Sequence, residues 1–145
     1  MVKKLATKYI NFVSSLKDLP PLIFRLMLAY GFYEPALQKF NNFDSIIKWF
    51  GSLGIPFPTL NAYMAVATEL SGVVLLTLGL ATRFISVPMI VVMIVAIKTV
   101  HLKHGFSCGD NGFEVPFYYM LMLLSLIVSG AGKFSIDYLL KKKLN

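Results

Sequence analysis

The sequence predicts an all-α integral membrane protein, a four-helix bundle with short interfacial amphipathic helices that forms one domain over residues 1–145. Three observations carry this expectation. Hydrophobic residues make up 57% of the chain and charged residues 14%, with a mean hydropathy of +0.69, far from the mixture of a soluble domain. A core of this length cannot enclose so much apolar surface, so lipid must cover the remainder. The apolar residues gather into four long runs, and the basic residues stand at the edges of those runs rather than in an Arg-rich stripe with interleaved aromatics. The net charge of +7 is therefore assigned to a membrane surface and not to nucleic acid.

The first twenty residues place Leu5, Tyr9, Phe12, Val13 and Leu16 at helical spacing, with Lys3, Lys4, Lys8 and Lys17 around them. This is the pattern of an interfacial amphipathic helix. It lacks a small-residue cleavage site after a short apolar run, so no removable signal peptide is expected. Pro20 and Pro21 cannot donate backbone hydrogen bonds and are expected to end the helix. A first span then runs from Leu22 to about Leu37. Within it, Arg25 lies close enough to the start to snorkel to the headgroups, and Glu34 precedes Pro35, where a kinked turn would leave carbonyls partly unpaired. Phe40, Phe43, Ile46, Ile47 and Phe50 follow a three-and-four spacing opposite Asn41, Asn42, Asp44 and Lys48. They read as a short helix lying flat on the membrane face, ended by Gly51 and the Gly54–Pro58 turn.

The second span, Leu60 to Ala81, contains Glu69 at helical spacing from Ala62, Ala65 and Gly72. Its carboxyl group thus shares a face with small residues and should point into the bundle; the same small residues permit a homodimer. After a short Thr82-Arg83 turn, Phe84 to Val100 forms a third span, with Pro88 tolerated in its first turn and Lys98 and His101 on one face at its end. The fourth span, Val115 to about Gly132, is opened by Pro116 and carries Tyr118 and Tyr119 at its start. Ser135 is a suitable N-cap for a final short helix ending in Lys141, Lys142 and Lys143.

Four spans return both termini to one side. The terminal segments and the 82–83 turn carry nine lysines and arginines, whereas the opposite side carries only Lys39, Lys48, Lys98 and Lys103. By the positive-inside rule both termini are cytoplasmic, and segments 38–59 and 101–114 face outward. This orientation gathers Glu34, Glu69, Lys98, His101, Tyr118 and Tyr119 in the outer half. A carboxylate at mid-depth costs roughly 3 kcal/mol on insertion scales, so Glu69 should be protonated, paired or functional, and Lys98 is the partner expected for it. Static packing of a charge pair is the plainer alternative. Tyr30, Tyr33, Tyr63, Tyr118, Tyr119 and Trp49 also suit an aromatic belt at headgroup depth.

The segment from Lys98 to Tyr119 holds both histidines, the only cysteine and a Gly-Asp-Asn-Gly turn. His101, His104 and Cys108, with Asp110, have spacings that could bind copper or zinc, but two histidines and one cysteine fall short of the closed ligand sets of structural zinc sites, so no metal residues are assigned. A single cysteine excludes an internal disulfide, and no phosphate-binding loop, dinucleotide fingerprint, CxxC pair or nucleophile triad is present.

Four stretches, RLMLAYGFYEPALQKF, WFGSLGIPFPTLNAYMAVATELSGVVLLTLGLATR, VAIKTVHLKHGFSCGDNGFEVPFYYMLML and GAGKFSID, make the chain from about residue 22 to 138 resemble the DoxX family of small membrane proteins. The resemblance is nearest to its HvfX-type branch, which writes Gly-Phe-Ser-x-Gly-Asp-Asn-Gly where this chain has Cys108. It implies a bacterial inner-membrane four-helix bundle. Relatives of the DoxD type resemble the membrane subunit of a thiosulfate:quinone oxidoreductase, and HvfX-like members accompany a copper-responsive modified peptide and its maturation enzymes. The function implied is a membrane redox subunit that binds quinone in the outer half, with a redox or peptide-maturation protein as partner. Glu69 and Glu34 would exchange protons, Lys98 and His101 would stabilise the reduced oxygen or relay protons, and Tyr118, Tyr119, Tyr63 and Tyr30 would line the site. No flavin, haem or iron–sulfur ligand set is apparent, so a partner or a thiol substrate must supply electrons. The alternatives are a non-catalytic membrane partner or small-solute or metal transporter in copper or sulfur stress, and a structural scaffold.

Overall fold

The computed structural model describes residues 2–144. Seven α-helices follow in order: α1 (Val2–Ser15), α2 (Leu19–Asn41), α3 (Phe43–Ser52), α4 (Pro58–Leu78), α5 (Thr82–Ala96), α6 (Glu114–Ser129) and α7 (Ile136–Leu144). The protein is all-helical, with no strand among the described residues. Helix α2 packs on α4, α4 on α5, α5 on α6, and α6 returns to α2, while α3 lies against α4. Between them sits a core that includes Leu28, Phe32, Leu76, Met89, Leu123 and Leu126. The outward faces remain apolar, with Phe84 82% and Val128 74% exposed. Water would not tolerate so many exposed large side chains, whereas lipid does. Two helical runs, Pro58–Leu78 and Thr82–His104, are long and apolar enough to cross a membrane. Helix α6 is apolar but spans 16 residues, and α2 has the length but carries Arg25, Glu34 and Lys39.

Several element boundaries differ from expectation, each for a local reason. Pro20 and Pro21 do not end α1, which stops at Ser15; they occupy the first turn of α2, where a missing N–H costs nothing. The first span does not stop near Leu37: α2 continues through Pro35 to Asn41. The carbonyl of Gly31, which loses its donor to Pro35, lies where the absence of a side chain lets the Tyr119 ring approach. Helix α5 continues past Val100 through one π-helical turn, Ile97–His101, and a 3-10 turn, Leu102–His104. Helix α6 stops at Ser129 because Gly130 turns to φ 78°.

At the end of the molecule shared by the start of α2, the α4–α5 turn and residues 130–137, polar contacts fix the geometry. Arg25 does not snorkel outward: it is fully buried, and its guanidinium donates to the carbonyls of Leu76 (3.2 Å) and Phe134. It can reach them because Gly79, in the left-handed region at φ 65°, leaves the space that a β-carbon would fill. Asp137 accepts hydrogen bonds from the amides of Ala81 (2.7 Å) and Thr82 (3.0 Å), capping α5 with a negative charge. Ser135 accepts from the Tyr138 amide at 3.2 Å, the N-cap geometry expected for α7. Asp18 pairs with Lys133 at 3.3 Å. We refer to this as the basic end; α3 and residues 102–113 lie at the far end.

Candidate functional site

Helix α2 buries a stripe of Arg25, Leu28, Phe32 and Ala36, and Lys39 continues it at the same three-and-four spacing. Helix α4 buries Ala62, Val66, Glu69, Gly72 and Leu76. The two helices run antiparallel, since Arg25 near the start of α2 bonds Leu76 near the end of α4. Side chains lean toward the N-terminus of their own helix, so Lys39 points back from the far end while Glu69 points up toward it. They meet as an ion pair, with Lys39 Nζ donating to Glu69 Oε2 at 2.8 Å and to Oε1 at 3.0 Å. The Glu69 side chain is 3% exposed and that of Lys39 20%. Two donated hydrogen bonds and an opposite charge compensate the carboxylate for the water it has lost.

The expected partner, Lys98, is elsewhere. The buried stripe of α5 runs Ile85, Met89, Met93, and Lys98 lies five residues beyond it, roughly 140° around a helix of 100° per residue. It sits in the π-helical turn and lines a groove of about 250 Å³ between the end of α5 and the start of α6. Its other walls are Ile94, Ile97, Leu102, Phe113, Phe117 and Met120, so the recess is wholly apolar, and Lys98 contributes its aliphatic stem to the wall. Single π-helical turns inside α-helices recur at functional sites, because the extra residue re-aims the side chains it carries.

The remaining expected residues divide between interior and surface. Glu34 does not join Glu69; it is exposed and accepts a hydrogen bond from Gln38 at 3.2 Å. His101 Nδ1 lies 2.8 Å from the Asn111 carbonyl. A carbonyl only accepts, so Nδ1 carries a proton and Nε2 is the nitrogen left free of this contact. Tyr119 is half-buried beside Phe32, ring centroids 5.5 Å apart. Tyr118 is 43% exposed and stacks near Phe117, a groove wall. Tyr63 is 61% exposed against Phe43, and Tyr30, at 86%, faces away from both the pair and the core. Cys108 is exposed, its amide donating to Glu114 at 3.0 Å. Among the described residues no three of His, Cys, Asp and Glu converge as metal ligands.

Two interior residues escaped the sequence reading, and both had a signal. Arg25 and Lys39 each fall on the stripe defined by Leu28, Phe32 and Ala36. A span that ends near Leu37 leaves Lys39 outside it.

Comparison with known proteins sets this geometry in a wider group. The sequence pattern of the DoxX family matches residues 21–102. An uncharacterized protein of Haemophilus influenzae is 36% identical over 129 residues, covering 83% of each chain. The Bacillus subtilis protein named "Putative oxidoreductase CatD" is 35% identical over 131 residues, covering 88% of this chain and 92% of its own. The Escherichia coli protein named "Inner membrane protein YphA" is 35% identical over 127 residues, covering 80% and 86%. No solved structure matches the chain.

Proposed function

The chain belongs to the DoxX family of membrane proteins, and from that premise we propose that it is the quinone-linked subunit of a redox system in the bacterial inner membrane. In this reading α2, α4, α5 and α6 are the four spans of a bundle, both termini are cytoplasmic, and the far end faces outward. The surplus of nine basic residues over four favours that orientation. The name of the Bacillus subtilis relative favours redox chemistry.

The observation that carries the proposal is the Lys39–Glu69 pair held in an apolar interior, since ionisable groups at such depth mark proton or ligand paths. The interior beside the pair does not suit a quinone, because Ala36 and Ala62 there are fully buried. The groove beside Lys98 does: its walls are apolar, and the exposed, flexible Lys98 chain can bring its ammonium to a ring oxygen at the mouth. A bound quinone would supply two-electron, two-proton redox chemistry. Lys98 would hold the ring oxygen, His101 would exchange protons through Nε2, and Tyr118 would border the opening. Glu69 with Lys39 would form a second proton-exchanging station deeper between α2 and α4, with Tyr119 on the α6 side. Glu34 stays at the surface as a proton-collecting group, and Tyr63 and Tyr30 bound the outside of the bundle. Electrons would come from a protein partner or a thiol substrate.

Thermal unfolding of the purified protein with a short-chain quinone tests the groove directly. Ligand at 100 times its dissociation constant stabilises by about 2.7 kcal/mol, so the midpoint should rise for wild type and not for Lys98→Met. A wild-type midpoint that stays fixed at every quinone concentration would remove the groove from the proposal.

A second reading rests on the exposed Cys108 and its setting in the HvfX-like Gly-Phe-Ser-Cys-Gly-Asp-Asn-Gly segment. Here the protein is a non-catalytic membrane partner or a solute or metal transporter in copper or sulfur stress. Copper binding lost on changing His101, His104 and Cys108 together, with no quinone effect, would favour it.

A further inference from the structure

Helix α1 is set apart from the rest of the fold. Every residue from Lys3 to Leu16 is exposed, and its apolar members are openly so, with Tyr9 68%, Phe12 63% and Leu5 61% exposed. The two faces are cleanly divided. At 100° per residue, Lys3, Lys4, Thr7, Lys8 and Asn11 fall on one side, and Leu5, Tyr9, Phe12 and Val13 on the other. The chain leaves α1 at Asp18, whose carboxylate is engaged by Lys133, so α1 begins its course at the basic end.

The charges at that end are not balanced within the protein. No acidic residue precedes Asp18. Asp137, the other carboxylate there, is committed to the amides of Ala81 and Thr82. Among the described residues no carboxylate stands within ion-pair distance of Lys3, Lys4 or Lys8. An apolar face backed by unbalanced lysines, at the level where the spanning helices end, is complementary to a layer of anionic headgroups above hydrocarbon.

We propose that α1 docks on the anionic phospholipid surface of the leaflet at the basic end, with Lys3, Lys4 and Lys8 on headgroup phosphates and Leu5, Tyr9 and Phe12 in the acyl boundary. Docking is selective for lipid charge: three lysines near such a surface raise binding by about 100-fold over a neutral one. This goes beyond the redox proposal and does not depend on it.

Hydrogen–deuterium exchange of the full-length protein in nanodiscs provides the test. Discs of phosphatidylcholine alone are compared with discs containing phosphatidylglycerol, for wild type and for a Lys3→Gln, Lys4→Gln, Lys8→Gln variant, with the amides of α5 as a control for intact folding. The expected result is that residues 3–15 of wild type exchange at least tenfold more slowly in anionic discs, that high salt abolishes the difference, and that the variant shows none. Equal protection in both discs would overturn the proposal, because the apolar face alone would then suffice. Absence of protection in either would also overturn it and would leave this face for a protein partner.

Discussion

Lys39 and Glu69 each owe their buried position to the other. Removing one partner leaves an uncompensated charge in the interior, which typically costs about 3–5 kcal/mol, whereas replacing both by apolar groups is close to neutral. Lys39→Met is therefore expected to lower the unfolding midpoint strongly, and Lys39→Met with Glu69→Leu to recover most of the loss; denaturation of wild type and the two variants in one detergent checks both. If the double variant were as unstable as the single one, the pair would owe its stability to neighbours other than each other. Lys98 gives the opposite expectation. It is exposed and off the buried stripe of α5, so Lys98→Met should change stability by no more than about 0.5 kcal/mol while weakening ligand retention in the groove. At this scale the sequence was partly legible. Glu69 could be assigned to the interior from its small-residue neighbours, but its partner was sought by depth alone, and depth does not say which face of a helix a side chain occupies.

Beyond the apolar packing of α4 on α5, polar contacts to the backbone join their turn to α7. Gly79 combines a φ of 65° with the approach of the Arg25 guanidinium, so Gly79→Ala is strained twice. It should destabilise by more than about 1 kcal/mol, measured by thermal unfolding, and Arg25→Lys should not rescue it. Asp137→Ala removes the acceptor for two amides at the start of α5 and should cost about 1–2 kcal/mol, whereas Asp137→Asn should retain part of that. The existence and order of the helices were legible because apolar runs and turn residues announce them. Their ends were not: Pro20 and Pro21 are compatible with ending one helix or opening the next, and Pro35 is tolerated within α2. The π-helical turn at Ile97–His101 has no local signature, since one extra residue in a helix leaves composition unchanged.

In the orientation proposed above, the basic end faces the cytoplasm and the far end faces outward. Arg25, Asp18, Ser135 and Asp137 tie one end together, while the pair, the groove and Cys108 lie away from it. Cys108 is the only thiol and is exposed, so a membrane-impermeant maleimide should label it in intact spheroplasts. Labelling confined to inverted vesicles would reverse the topology. The class of the molecule was legible from hydropathy, because the preference of large apolar side chains for lipid needs no knowledge of packing. The position of the candidate groove was not, because it arises only where the re-aimed end of α5 meets the aromatic start of α6. The proposal that the far end holds a quinone is tested by extraction and identification of the lipophilic molecules retained by the protein purified in mild detergent. Quinone approaching one per chain is expected in wild type, retained by Glu69→Gln if that variant folds, and lost from Lys98→Met. Absence of quinone from wild type, or equal retention by Lys98→Met, would contradict it.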